Sequence, residues 1–139
     1  MTAPTRRSAD DPTPRPVGAD IDDFARLDIR VGVVRAARPL ADARRPALAL
    51  DIDLGPELGV RQSSAQITDR YDPADLPGRR VLCVVNLPTR RVAGFDSEVL
   101  TLGVYAGSAS ATDPDAPAGL VVLIAPDDDP ALRPGDRLG

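Results

Sequence analysis

LDIRVGVVRAARP, Leu27 to Pro39, is the stretch on which the fold turns. Ile29, Val31 and Val33 fall on one side of it, Arg30 and Gly32 on the other. That period of two predicts a β-strand, and β-branched valine and isoleucine suit the pleated surface of a sheet. A glycine inside such a run predicts a bend or bulge.

Working outward, five further strands are predicted. ALALDIDLG alternates Leu48, Leu50, Ile52 and Leu54 against Ala49, Asp51 and Asp53. VRQSSAQI, after the turn GPELG, is a strand that is polar for its length. VLCVVNL is apolar on both faces and therefore central or barrel-lining. SEVLTLGVYAG and GLVVLIAP are the fifth and sixth strands, and LRPGDRLG ends the chain with a turn and a short terminal strand. Helix is scarce. Asp20 can cap a short helix through IDDFARL, with Asp22 and Asp23 in its first turn, where the helix dipole favours acids. TDRYDPADLPGRR connects the third and fourth strands, with one helical turn near Asp72 to Leu76. Short strands separated by frequent turns predict an all-β protein, a small antiparallel barrel or sandwich.

The 139 residues fit a single domain. Residues 1–18 hold prolines and charges with almost nothing to bury, and are expected to be a disordered tail. They lack the apolar core of about 7–15 residues that marks a signal peptide. SASATDPDAPAG, residues 108–119, has no core-forming residue and reads as a mobile insertion. No run approaches the roughly 18 apolar residues of a membrane span, so a soluble, cytoplasmic protein with no membrane insertion is expected. The lone Cys83 fits a reducing compartment, and free cysteine in an apolar strand behaves as a small buried hydrophobe.

The chain has no histidine, which removes Ser-His and Cys-His catalysis and His-ligated zinc together. Asp51 and Asp53, at i and i+2, read as a solvated face. Asp127, Asp128 and Asp129 lack the glycine and terminal glutamate of a calcium loop. No metal, cofactor or catalytic residue is expected, and the protein is read as not an enzyme. The formal charge is −4, yet every one of the 17 basic residues is arginine. Two readings stand: a GC-rich coding bias, or use of the guanidinium's bidentate fit to phosphate.

LDIRVGVV, DIDLG, VRQSSAQIT and VVNLPTRRVAGFDSEVL, in that order, resemble the EMAP-II-like tRNA-binding domain family, most closely its small free-standing CsaA-type branch. The resemblance runs from about Ile21 to Gly139. It implies an OB-fold five-stranded barrel over residues 19–139, with a short N-terminal helix and extra terminal strands, forming a homodimer. It also implies binding of tRNA or other folded RNA by shape, and for the CsaA-type branch a chaperone role in protein export, on unfolded preproteins. The chain departs from the family in having arginine where lysine is usual and Ser63-Ser64-Ala65 where synthetase appendages carry a Ser-Gly-Leu type segment.

The candidate RNA-binding residues are Arg44, Arg45, Arg61, Ser63, Ser64, Gln66, Asn86, Arg90, Arg91 and Ser97. Pro88 and Gly94 bracket Arg90 and Arg91 in a connection, where adjacent guanidiniums need a carboxylate or a phosphate. Arg61 precedes a polar strand, the kind of OB-fold face that holds nucleic acid. Arg44 and Arg45 are expected to reach in from the first loop. Asn86 can instead bridge backbone groups, and Ser97 can act within the turn. With four aromatics, Phe24, Tyr71, Phe95 and Tyr105, base stacking is expected to be minor and backbone shape the main cue. The competing reading is an apolar groove for an extended peptide, lined by Ile67, Val92, Phe95 and Val104.

Overall fold

The computed structural model describes residues 18–41, 43–106 and 120–139. The tail expected over residues 1–18 lies outside the described residues apart from Gly18, and the insertion expected over 108–119 lies wholly outside them.

β1 (Ile29–Pro39) organises everything else. Its first half pairs antiparallel with β4 (Arg80–Val84), from Ile29↔Val84 to Val33↔Arg80. Its second half pairs with β2 (Leu48–Asp53), from Val33↔Asp53 to Pro39↔Leu48. One strand thus serves two partners by bending, and the register shift between Val34 and Ala36 marks a bulge. The bulge lies past Gly32, whose missing side chain has a packing reason instead: a Cβ there would collide with Ile52 Cγ2 and sit 3.0 Å from Leu54 Cδ2. β2 pairs onward with β3 (Val60–Ala65), and β4 with β7 (Leu100–Thr101), so the sheet runs β3-β2-β1-β4-β7.

The two edges, β3 and β7, face each other and nearly close a barrel. Glu98 N and Val99 N both donate to Gln62 O, at 2.8 and 3.3 Å. Side chains complete the seam: Gln62 N donates to Glu98 Oε1 (2.9 Å) and Ser64 N to Ser97 Oγ (3.0 Å). Inside, Thr101 Oγ1 donates to Ser63 Oγ at 2.8 Å. The antiparallel barrel, with one short N-terminal helix, has the OB-fold architecture. Its core is aliphatic, built on Val34, Leu48, Leu50, Ile52, Leu54 and Val81.

α1 (Ile21–Ala25) starts at a capping box, with Asp23 N donating to Asp20 Oδ1 and Asp20 N to Asp23 Oδ2, each at 3.0 Å. It buries no residue of its own, and Ile21 is 74% exposed. The helical turn expected near Asp72 is a 3-10 turn, Pro73–Asp75, capped by Asp72. Among the described residues no helix is long and apolar enough to cross a membrane.

Three local readings change. Residues 97–106 do not form one strand. After β7, Leu102 donates to Leu82 O while its own carbonyl accepts from Ile124 N, and the chain continues as β8 (Gly103–Tyr105), paired with β9 (Val121–Leu123). Arg30, expected on a polar side, is 9% exposed. Residues 135–138 lie along β1 and cover it, with Val31 N donating to Asp136 O (2.8 Å) and Leu138 N to Ile29 O (2.8 Å). The buried guanidinium is then held by Asp28, through Nε at 2.7 Å and Nη2 at 3.1 Å, and by Glu57 at 3.1 Å. Last, residues 90–97 form a β-hairpin, not a loop.

Candidate nucleic-acid interface

The hairpin joins β5 (Arg90–Val92) to β6 (Phe95–Ser97) through the two-residue turn Ala93-Gly94. Both turn residues have positive φ, 51° at Ala93 and 79° at Gly94, as a type I′ turn requires. The strongest sequence signal for that turn is Asn-Gly or Asp-Gly, so Ala-Gly conceals it.

Because side chains alternate along a strand, the hairpin separates the two adjacent arginines. The pairs Arg90↔Ser97 and Val92↔Phe95 share one face, and Arg91↔Asp96 occupies the other. Val92, Phe95 and Ser97 are half-buried, and the Ser97 bond to Ser64 turns their face toward the barrel. Arg91 Nη1 lies 2.6 Å from Asp96 Oδ1, a closed ion pair on the outward face. Arg90 is exposed and makes no ion pair among the described residues.

The barrel surface beside the hairpin is the outer face of β1, β2 and β3. Past the bulge, Arg38↔Ala49 and Ala49↔Ser64 form one cross-strand row. Arg38 reaches the hairpin, with its guanidinium carbon 6.0 Å from the Phe95 ring centroid. It also lies 3.4 Å from Asp51, the next residue along the outer face of β2. Arg35 pairs with Asp53, and this, with the bond from Gly55 N, holds the Asp53 carboxyl below its usual range. Arg38 stands outside the expected site residues, and it lies past the bulge, where the alternation of β1 changes phase.

The expected site residues therefore divide. Arg90, Ser97 and Ser64 come together, with Phe95 and Arg38 beside them. Arg61 does not join them: it is opposite Ile52, on the strand face away from Gln62 and Ser64, and its Nε donates to Leu58 O at 3.0 Å. Ser63 is fully buried at the barrel seam, closed to any ligand. Gln66 is exposed just beyond β3. Asn86 is exposed but braced, its Oδ1 accepting from Asp28 N (2.9 Å) and its Nδ2 donating to Arg26 O (2.8 Å). Arg44 is exposed and Arg45 half-buried in the β1–β2 loop, without an ion pair among the described residues. Of the four apolar candidates, Ile67 is 2% exposed and part of the core, which withdraws it from any peptide groove. Val92 and Phe95 lie beneath the hairpin, and Val104 is exposed in the separate β8–β9 sheet.

Two further arginines frame one aromatic. The Arg70 and Arg79 guanidinium carbons lie 5.6 and 5.1 Å from the centroid of Tyr71, whose buried hydroxyl accepts from Leu123 N at 3.0 Å. Burial pushes the Cys83 thiol up to about 11, against a weaker opposing contact with Thr101, which keeps it protonated and inert at neutral pH. Among the described residues no group of three or more His, Cys, Asp or Glu side chains is gathered to hold a metal ion.

Comparison with known proteins places this surface in context. Residues 29–123 match the family described as "Putative tRNA binding domain". Methionine–tRNA ligase of Salinibacter ruber is 38% identical over 81 residues, 58% of this chain and 11% of the ligase. The Thermotoga maritima methionine–tRNA ligase is 36% identical over 87 residues, 63% of this chain and 13% of the ligase. The chain thus spans only a small part of those relatives. Among solved structures, chaperone CsaA of Bacillus anthracis superposes with a TM-score of 0.75 at 45% identity, over 88% of this chain and 99% of that one. The CsaA chaperone protein of Picrophilus torridus gives 0.74 at 35% identity, over 88% and 100%.

Proposed function

The chain belongs to the CsaA-type tRNA-binding domain family, and from that premise we propose that it acts without catalysis, as a homodimer that binds tRNA or similarly folded RNA. What supports this reading is the surface where Arg90, Arg38 and Ser64 lie together. There a guanidinium without an ion pair among the described residues, a second guanidinium between Phe95 and Asp51, and a polar strand adjoin one another on a molecule whose formal charge is −4. Guanidiniums fixed on a rigid barrel meet phosphates at little ordering cost. Each contact releases condensed counterions, so binding weakens steeply with salt. Arg44 and Arg45 extend the surface along the β1–β2 loop. Cytoplasmic residence belongs to the same reading.

The proposed dimer has its own support. Ile21, Phe24 and Leu27 around α1, and Leu100, Val104 and Tyr105 on β7 and β8, are large apolar residues left at least 40% exposed. Burying them against a second copy of the chain would remove that apolar surface from water.

A second reading has support too: the same apolar residues suit an unfolded preprotein, and the Bacillus anthracis and Picrophilus torridus proteins it resembles are chaperones. One experiment separates them. Labelled tRNA and a denatured preprotein are each titrated at about 50 and 200 mM salt, where roughly six or more phosphate contacts weaken binding a thousandfold. A steep salt loss for tRNA, with salt-insensitive or no preprotein binding, supports the first reading. No tRNA binding at low salt would refute it, and a monomeric mass in solution would remove the dimer.

A further inference from the structure

A cleft of about 480 Å³ opens between the base of the β1–β2 loop and the segment that follows β3. Pro39, Leu40, Pro46 and Ala47 form one wall, Thr68, Arg70 and Tyr71 the other. It adjoins the surface described above directly, since Pro39 follows Arg38 and Leu48 pairs with Ala65, the residue after Ser64. Its size lies within the range of about 300–1,000 Å³ typical of small-molecule sites.

The wall on the Arg70 side is built in layers. Tyr71 is 8% exposed and anchored by its hydroxyl to Leu123 N, so its ring cannot act as an exposed stacking surface. Arg70 is exposed, lies against that ring at 5.6 Å and makes no ion pair among the described residues. A guanidinium held by an aromatic ring is planar, charged and pre-ordered, with a second face free. Nucleobases stack on such guanidinium planes as they do on aromatics. The remaining lining decides which part of a nucleotide enters. Asp69 and Asp72 also border the cleft and repel phosphate. The prolines opposite present apolar surface. A base fits inside, with its phosphate left at the mouth, where Arg44 and Arg45 stand on the same loop.

We infer that this cleft is a nucleotide subsite, in which one unpaired base of the bound RNA stacks on the Arg70 guanidinium against the Pro39–Pro46 wall. The inference rests on the RNA-binding reading and adds to it a contact with a single unstacked nucleotide, where the shortage of exposed aromatics had pointed to shape alone.

The test uses the full chain labelled with ¹⁵N. Adenosine 5′-monophosphate and adenosine are expected to shift the amides of residues 68–72 and of Leu40 and Ala47, and inorganic phosphate at equal concentration is not. Separately, Arg70→Lys, which keeps the charge and loses the plane, should weaken tRNA binding roughly fivefold or more, the low end of losing one stacked base. The salt slope should stay unchanged. Thr68→Phe, which fills the cleft without altering charge, should weaken it similarly. Equal shifts with phosphate alone, no shifts with the nucleotide, or tRNA affinity untouched by both variants would overturn the subsite while wild-type tRNA binding still stands. If wild type binds no tRNA at all, the reading beneath it has failed instead.

Discussion

Replacing Arg90 by alanine should change the salt dependence of RNA binding, whereas deleting Arg91 and Asp96 together should not. The two arginines are neighbours in sequence but face opposite ways on the hairpin. Arg91 sits 2.6 Å from Asp96, so the pair presents almost no net charge to a phosphate. Removing both members therefore removes nothing that releases counterions. Arg91→Ala alone is a poor probe, because it uncovers the Asp96 carboxylate. Arg90 carries its charge uncompensated, and its loss should lower the slope of log K against log salt by about 0.7–0.9, the value per phosphate contact. From about 50 to 200 mM, a fourfold rise in salt, that slope change makes the variant's affinity fall about threefold less than the wild type's. Fluorescence anisotropy with labelled tRNA at four or five salt concentrations measures it. Equal slope changes in the two variants, or no change in Arg90→Ala, would show that the hairpin face does not meet phosphate.

Three other outcomes follow from the same geometry. Glu98→Ala leaves Gln62 N at the barrel seam without its acceptor and should cost about 1–3 kcal/mol in urea unfolding, with no change in RNA salt slope. Ala93→Asn supplies the side chain that tolerates the left-handed backbone at φ 51° and should raise stability by about 0.5 kcal/mol, while Ala93→Val should lower it. The Asp28 carboxyl, bonded first of all by Arg30, lies below its ordinary 3.8. A depressed folded value means stability present above the unfolded value and lost as pH falls through the folded one. Thermal melts of the wild type should therefore decline below about pH 4, and Arg30→Met should flatten that decline.

How much of this the sequence disclosed depends on the range of the deciding interaction. Alternation sufficed for β1 and β2, an uninterrupted apolar run for β4, and a capping acid for α1. Those strands left barrel and sandwich both open, and it was the family resemblance that implied the barrel. What stayed hidden depended on distant partners. Arg30 is buried because residues 135–138 return to cover it, and nothing near position 30 records that. Ser63 looks like a ligand donor in a polar strand until Thr101 arrives from β7 to engage it. Ile67 follows β3 as one more apolar residue, and only the closed barrel shows that it points into the core. The bulge at Val34–Ala36 shifts phase by one residue: Gly32 and Val34 face the barrel interior, and Arg38, an even number of residues further on, faces outward.

The same distinction bears on how an acidic chain can hold an anion. Net charge counts every carboxylate equally, but phosphate responds to charge within about one Debye length, roughly 10 Å at 0.1 M salt. Arg30, Arg35, Arg80 and Arg91 are each matched with a carboxylate, and those eight side chains contribute little field at a distance. The arginines left unmatched among the described residues include Arg44, Arg45, Arg70 and Arg90, on the loop, the cleft and the hairpin that border the outer face of β1–β3. Arg38 lies between the two cases. Its 3.4 Å contact with Asp51 is long for a charge-assisted bond, and an incoming phosphate can replace the carboxylate without breaking strong geometry. An acidic total and a cationic surface are therefore compatible, provided that the carboxylates are spent on arginines elsewhere. That places the selectivity of this surface in the pairing pattern and not in the number of its arginines.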